Sequence, residues 1–272
     1  MTISKSMQAT EPREKPVIVV KLGGSMIDQL SESFYESFIQ LSEHYHCVIV
    51  HGGGPAITSL LNDLGIKGEF YDGLRKTTAE TLDVVMMTLG GKVSNQVTSS
   101  LARHGRHSIG LKGSDGGLIQ ASLIDEEKLG FVGQVEQVKG NLIKQLLDHE
   151  YIPVIAPLAR TSEGQLVNVN ADAGAAAVAN ALNAEKLLFV TDVAGIIKQG
   201  KIIDRTTPEE IQKMIEDGDI YGGMIPKVTA AISALSDDLQ EVLVVSGERS
   251  LIEGETIKGT TIYQQRKEEV TK

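Results

Sequence analysis

Apolar residues along this chain fall into short β-branched runs that end in glycine, separated by stretches where they recur every three or four positions. The run Val17-Ile18-Val19-Val20 leads through Lys21 and Leu22 to a break at Gly23-Gly24-Ser25. It is short enough for a strand and apolar enough to be buried on both faces. Residues 29–44 place Leu30, Phe34, Phe38 and Leu41 at helical spacing. Residues 47–50 predict a second strand, again ended by glycines, Gly52-Gly53-Gly54, and Pro55 then suits the first turn of a helix buried through Ile57, Leu60, Leu61 and Leu64. Two consecutive strand–glycine–helix units can aim loose amides and helix N-termini at one crevice.

Between 69 and 76 the helical period lapses around Tyr71-Asp72-Gly73-Leu74-Arg75, which predicts an excursion over that crevice. Thr77 is placed to cap a long helix to about 101, with Glu80 completing a capping box and Leu82, Val85, Met86, Leu89 and Val93 forming its stripe. A strand at 108–111, a hairpin of 119–124 with 131–138 on the flank of the sheet, and a helix over 140–149 follow. The strand 152–156 carries Pro153, which predicts an edge position or a start at the proline. The second half repeats the logic: an extended 166–169, an Ala-rich helix to about 182, a strand at 187–191 and a short extended 201–203. A helix opening on Thr207-Pro208-Glu209-Glu210, another from Gly222-Gly223 to about 235, and strands at 242–245 and 260–263 complete it. Strands alternating with helices predict an αβα sandwich around a central, mostly parallel sheet. Residues 1–15 read as a loose arm. No linker separates 16–160 from 161–272, so two lobes must share one continuous sheet.

Composition narrows the partners. The 272 residues carry a net charge of −10 with no run of Lys or Arg, which disfavours nucleic acid. The single Cys47 excludes an intramolecular disulfide framework and a cysteine-built zinc site. No stretch approaches eighteen apolar residues, and the first fifteen contain no signal-peptide core, so the expectation is a soluble, cytoplasmic protein.

Neither a Walker A loop nor a complete dinucleotide fingerprint is present. The chain offers separate pieces instead: amides at Gly23-Gly24 and Gly52-Gly53-Gly54, ammonium groups at Lys21 and Lys227, and a carboxylate at Asp172. Such pieces suit phosphoryl transfer, which needs two oxygens in line and the charge of the moving group neutralised. A carboxylate between two lysines would hold their chains in place. Each residue also has a plainer role. Lys227 is either solvated in a helix's first turn, where it opposes the dipole, or bound to an anion there. Asp172 is either a helix cap or a site organiser. Asn168 and Asn170 either stabilise a turn or meet a ligand. Arg75 is either solvated or grips a carboxylate by two prongs. Asp192 is a turn former or a nucleotide contact. His51 lacks a companion at metal-ligand spacing and reads as structural.

The motifs KLGGS (21–25), HGGGP (51–55), GLRKT (73–77), NVNAD (168–172), TDVAG (191–195) and GGMIPK (222–227) together resemble the amino acid kinase family, from Val17 to the last strand. In combination they are similar to its branch acting on N-acetyl-L-glutamate. The resemblance implies that ATP phosphorylates that side-chain carboxylate, giving N-acetyl-L-glutamyl 5-phosphate and ADP. It implies Lys21 and Lys227 as transition-state lysines, oriented by Asp172. Gly53 and Gly54, with Gly23 and Gly24, would supply amides, and Arg75, Asn168 and Asn170 would hold the acetylglutamate. Asp192 and Gly223 would join Lys21 and Lys227 on the nucleotide side. Substrate would lie in 16–160 and ATP over 161–272, with Mg²⁺ held mainly by phosphate oxygens and no metal ligand from the protein. A homodimer through the helix 77–101 and the adjacent sheet edge is implied. The short arm with Pro12 and Pro16, and the segment 247–259, differ from the arginine-inhibited hexameric branch. Two alternatives stand beside this reading. One is a kinase of the same fold acting on N-acetyl-aminoadipate. The other is a non-catalytic binding regulator, whose mark would be loss of Lys21, Lys227 or Asp172; none is missing.

Overall fold

An eight-stranded sheet runs through the computed structural model, which describes residues 15–254 and 256–264. Its strands are β1 (Val17–Leu22), β2 (His46–His51), β3 (Ser108–Lys112), β4 (Ile152–Ala156), β5 (Lys186–Thr191), β6 (Arg205–Thr206), β7 (Glu241–Ser246) and β8 (Thr260–Tyr263). Their spatial order is β6-β8-β7-β5-β1-β2-β4-β3. Neighbours are parallel throughout except β7 and β8. The four strands that come first in the chain form one half of the sheet and the four that come last form the other, joined at β1 and β5.

Alternation along the central strands defines two cores. Ile18, Val20 and Leu22 of β1 pack with Cys47 and Ile49 of β2 on one face, under α1 (Glu32–His44). Val19, Val48 and Val50 face the other way, against the Ala-rich helix that begins at Ala171. Period-two alternation therefore places Lys21 on the face of Val19, toward that helix. Cys47 is buried as expected, and desolvation pushes its thiol up to about 12.

Several local expectations change. The strands Ile119–Leu123 and Val132–Val138 do pair antiparallel, but Leu158–Arg160 and Leu166–Val169 close them into a four-stranded barrel, through which the boundary at residue 160 passes. Pro153 lies inside the sheet rather than at its edge. The N–H of Ile152 donates to His107 on the β3 side, so the missing donor of Pro153 faces β2, where pairing begins only at Val154. Thr77 is not a helix cap. Thr78 is, its hydroxyl accepting from the Thr81 N–H, while Thr77 is fully buried. The long helix runs from Ala79 to Arg103 but contains a π-helical turn: α3 (Ala79–Met87), the turn Thr88–Val93 and α4 (Ser94–Arg103) follow without a break, and α2 (Gly54–Asp63) packs against α3 and the turn. The helix start predicted at Thr207 forms, and Thr207 and Glu210 make a capping box there. The arm lies outside the described residues apart from Lys15.

Candidate active site

Because β1 and β2 pair with Leu22 opposite His51, their glycine loops leave the sheet side by side, and the Gly52 N–H donates to the Leu22 carbonyl at 2.8 Å. A Cβ on Gly24 would stand 2.6 Å from the Gly53 nitrogen and 2.8 Å from the Gly54 nitrogen. The two loops thus touch backbone to backbone, with no room for a side chain between them. They form one wall of a cleft of about 700 Å³.

Lys21 enters this cleft from β1. Its Nζ lies 2.6 Å from Asp172 Oδ1 and over the face of Phe189. Asp172 stands in the first turn of α5 (Ala171–Ala181), whose cap is Asn170: the Asn170 Oδ1 accepts from the N–H groups of Asp172 and Ala173. Asn170 thus caps the helix and leaves the Asp172 carboxylate to pair with Lys21. That carboxylate oxygen is buried and has no aligned hydrogen-bond donor, so its contact with Lys21 is an ion pair.

Arg75 closes the opposite side from the hairpin Phe70–Tyr71 and Leu74–Arg75. It is 8% exposed, its Nη2 donates to the Gly54 carbonyl and the Thr58 hydroxyl, and its guanidinium stacks on Phe70. Nη1 is buried without a partner, which leaves donor capacity for an anion. Burial lowers its pKa, yet an arginine stays charged at any ordinary pH. Asn168 reaches the cleft from the barrel and donates to the Thr77 hydroxyl, which donates in turn to the Arg75 carbonyl. Thr58, Phe70 and Thr77 are supports that sequence reasoning missed. Thr77 was visible as part of GLRKT but read as a cap.

The cleft therefore unites Lys21, Gly23, Gly24, Gly53, Gly54, Arg75, Asn168, Asn170 and Asp172. Lys227, Asp192 and Gly223 are not in its wall. Lys227 lies in the first turns of α6 (Met224–Ala234), which Gly223 precedes as cap, and its ammonium pairs with Asp192 at the end of β5. The hydrogen bond from Lys227 holds the Asp192 carboxyl below its usual range. Each lysine thus has its own carboxylate, in place of one carboxylate between two. Among the described residues no three His, Cys, Asp or Glu side chains converge as a metal site. No helix among them is long and apolar enough to cross a membrane.

An open α/β sheet with glycine loops, paired lysines and an arginine at its strand ends has the layout of a phosphoryl-transfer enzyme. The sequence signature of the amino acid kinase family matches residues 16–246, and the chain belongs to that family. It is 47% identical to the acetylglutamate kinase of Bacillus pumilus strain SAFR-032, over 92% of this chain and 97% of that protein. It is 49% identical to the acetylglutamate kinase of Geobacillus kaustophilus strain HTA426, over 91% and 96%. The crystal structure of smu.665 from Streptococcus mutans UA159 superposes with a TM-score of 0.80 at 31% identity, covering 93% of this chain and 100% of that one. A carbamate kinase from Giardia lamblia bound to AMP-PNP shares the fold, with a TM-score of 0.63 at 18% identity over 92% of this chain and 99% of that one.

His51, at the end of β2, is fully buried and donates from Nδ1 to the Gly52 carbonyl at 3.0 Å, fixing the first peptide of the glycine loop. Desolvation lowers its pKa from 6.5 to about 4. As the pH falls from 6.5 toward 4 the unfolded chain takes up this proton before the folded one, so stability present above pH 6.5 is lost over that window. Urea unfolding should therefore lose about 2 kcal/mol more between pH 7 and pH 5 in the native protein than in His51→Gln. Identical pH dependence in the two would remove His51 from this role.

Proposed function

We propose that this protein transfers the γ-phosphoryl group of ATP to the side-chain carboxylate of N-acetyl-L-glutamate, a step of arginine biosynthesis, in the cytoplasm. The observation that carries the reading is the cleft itself, where the Lys21–Asp172 pair, the two glycine loops and Arg75 face one another. The name carried by the relatives at 47–49% identity supports the same substrate.

In this reading a carboxylate oxygen of the substrate attacks the γ-phosphorus, an O–P bond forms, and the bond to the β–γ bridging oxygen breaks with its electrons leaving on ADP. The attacking carboxylate is already ionised, so no general base is required. Lys21 and the amides of the glycine loops neutralise the equatorial oxygens, and losing one such preorganised donor costs roughly 3–4 kcal/mol of barrier. Asp172 fixes the direction of the Lys21 chain. Arg75 from the part before residue 160 and Asn168 from just after it grip the amino acid, with Asn170 at the same wall. Lys227, Asp192 and Gly223 serve the nucleotide over the part after it. Asp172 and Asp192 are each engaged by a lysine. Mg²⁺ would be held mainly by the nucleotide's phosphate oxygens and would supply further charge neutralisation there.

The decisive experiment measures ADP release with MgATP against N-acetyl-glutamate, N-acetyl-aminoadipate, glutamate, aspartate and UMP. N-acetyl-glutamate should be the preferred acceptor. Lys21→Met and Lys227→Met should each lower kcat at least about a hundredfold with the fold intact. Preference for N-acetyl-aminoadipate would move the assignment to that substrate, and undiminished turnover in both lysine variants would sink the mechanism. Arg75→Ala should raise KM for the amino acid well beyond any change in KM for ATP; equal changes in both would contradict its placement.

The assembly proposed is a homodimer through the α3–α4 region. Met86 and Met87 on α3 are exposed apolar side chains, the soft residues favoured at contact surfaces. Light scattering should return twice the chain mass, and Met87→Lys should shift it toward the monomer; a monomer in the native protein would exclude this assembly.

A further inference from the structure

We infer that the π-helical turn at Thr88–Val93 is a positioning device for the glycine loop after β2, with Leu89 as its wedge. Resting on the phosphoryl-transfer reading above, this adds a determinant that touches neither reacting group.

The turn is unusual on its own terms, since π-helix accounts for well under one residue in a hundred and tends to sit near functional sites. Here the Ser94 N–H donates to the Leu89 carbonyl five residues back, and the sequence through the turn contains Gly90-Gly91. Packing on both sides explains its location. A Cβ on Gly90 would stand 2.9 Å from Lys112 Cδ at the end of β3, and one on Gly110 would run into the Ser94 hydroxyl. The helix is thus pressed against β3 at each end of the turn. On the other side, a Cβ on Gly53 would stand 2.5 Å from Leu89 Cδ2 and 3.3 Å from Val93 Cγ2.

Gly53 is therefore held between two surfaces. Gly24 touches its backbone from the β1 loop, and Leu89 with Val93 touch it from the helix. Its φ is 178° and its ψ 21°, so the φ alone does not demand glycine. Space does. Leu89 is only 2% exposed, yet it reaches the wall of the cleft beside Gly53. The extra residue of the π turn shifts the helix's facing between its two halves: Leu89 before the shift packs in the cluster with Ile57 and Leu61 of α2, while Val97 and Leu101 after it lie in the core under α1. The position of the Gly53 and Gly54 amides, a fraction of an ångström of which decides how well they meet a developing charge, is in this way set by an aliphatic side chain.

The test is a compensation between Gly53 and Leu89. Gly53→Ala should lower kcat/KM at least about thirtyfold, mainly in kcat, because the new methyl displaces the loop from Leu89. Adding Leu89→Val, which removes the Cδ atoms but keeps a branched apolar side chain, should restore at least about tenfold of that loss. Leu89→Val alone should lower kcat while leaving KM for ATP within about twofold. Hydrogen exchange at the Gly52–Gly54 amides is read in the same four proteins, faster in Gly53→Ala and returned in the double variant. Restored thermal stability or exchange without restored kcat would show a packing contact with no catalytic consequence and overturn the inference; so would no restoration of either. Native protein inert toward N-acetyl-glutamate would defeat the substrate reading alone, and the exchange pattern would then decide the positioning of the loop.

Discussion

The site depends on one contact: two glycine loops that meet backbone to backbone. Parallel strands stand about 4.8 Å apart, so where the segments leaving two neighbours turn onto each other there is no room for a side chain between them. The register Leu22 opposite His51 creates that situation, and the absent Cβ of Gly24 resolves it. The result is a short stretch of surface made of peptide groups from two strands at once. Its N–H groups form a fixed array of partial positive charge. The structural core below has the complementary task of holding both strand ends still, which Val19, Val48 and Val50 on one face and Ile18, Val20 and Ile49 on the other accomplish by burial.

Once the loops are fixed, the sheet's alternation decides where charge goes. Lys21 shares a face with Val19, and that face is covered by the helix whose first turn contains Asp172. An Asn one residue before the helix does the capping, so the aspartate two positions later is not spent on backbone amides. Capping and pairing with Lys21 would otherwise compete for the same carboxylate. The same economy appears at Arg75, where one terminal nitrogen of the guanidinium braces the Gly54 carbonyl and Thr58 while the other remains unpartnered. Bracing and unpartnered donors are thus divided within a single side chain.

The sandwich, most of its strands and the residues of the cleft were legible because their signals are local. β-branched runs ended by glycine mark strands buried on both faces, and a lysine at the end of such a run has no apolar reason to be there. What was not legible is what depends on packing between elements. Pro153 reads as an edge signal, yet one missing donor is tolerated in a central strand where the neighbouring ladder has not begun. Thr77 has the composition of a cap, but its hydroxyl is used to join the Arg75 peptide to Asn168, which lies ninety-one residues from Thr77 in the chain. The π turn was hidden for a different reason. Leu82, Val85, Leu89 and Val93 fit an ordinary helical stripe, and only the Gly90-Gly91 pair departed from it. The barrel needed the second pair of strands, whose partners are distant in sequence.

The two ion pairs also differ in kind, and the difference bears on how a kinase handles two anionic substrates. Lys21 and Asp172 are 16% and 32% exposed and sit against Phe189, so water screens their attraction only in part. Lys227 and Asp192 are 30% and 56% exposed. A pair open to solvent contributes little to stability and is readily exchanged for another partner. Phosphate oxygens would compete well for such a lysine, because they carry more charge and Lys227 stands in the first turns of a helix whose N-terminal dipole favours anions. Displacing Asp192 then costs little, since its carboxylate is already half in water. The pair at Lys21 differs: separating it would leave a carboxylate oxygen buried and unpartnered, which disfavours breaking it. In the proposed function one lysine is therefore part of the frame, and the other can exchange its carboxylate for a phosphate.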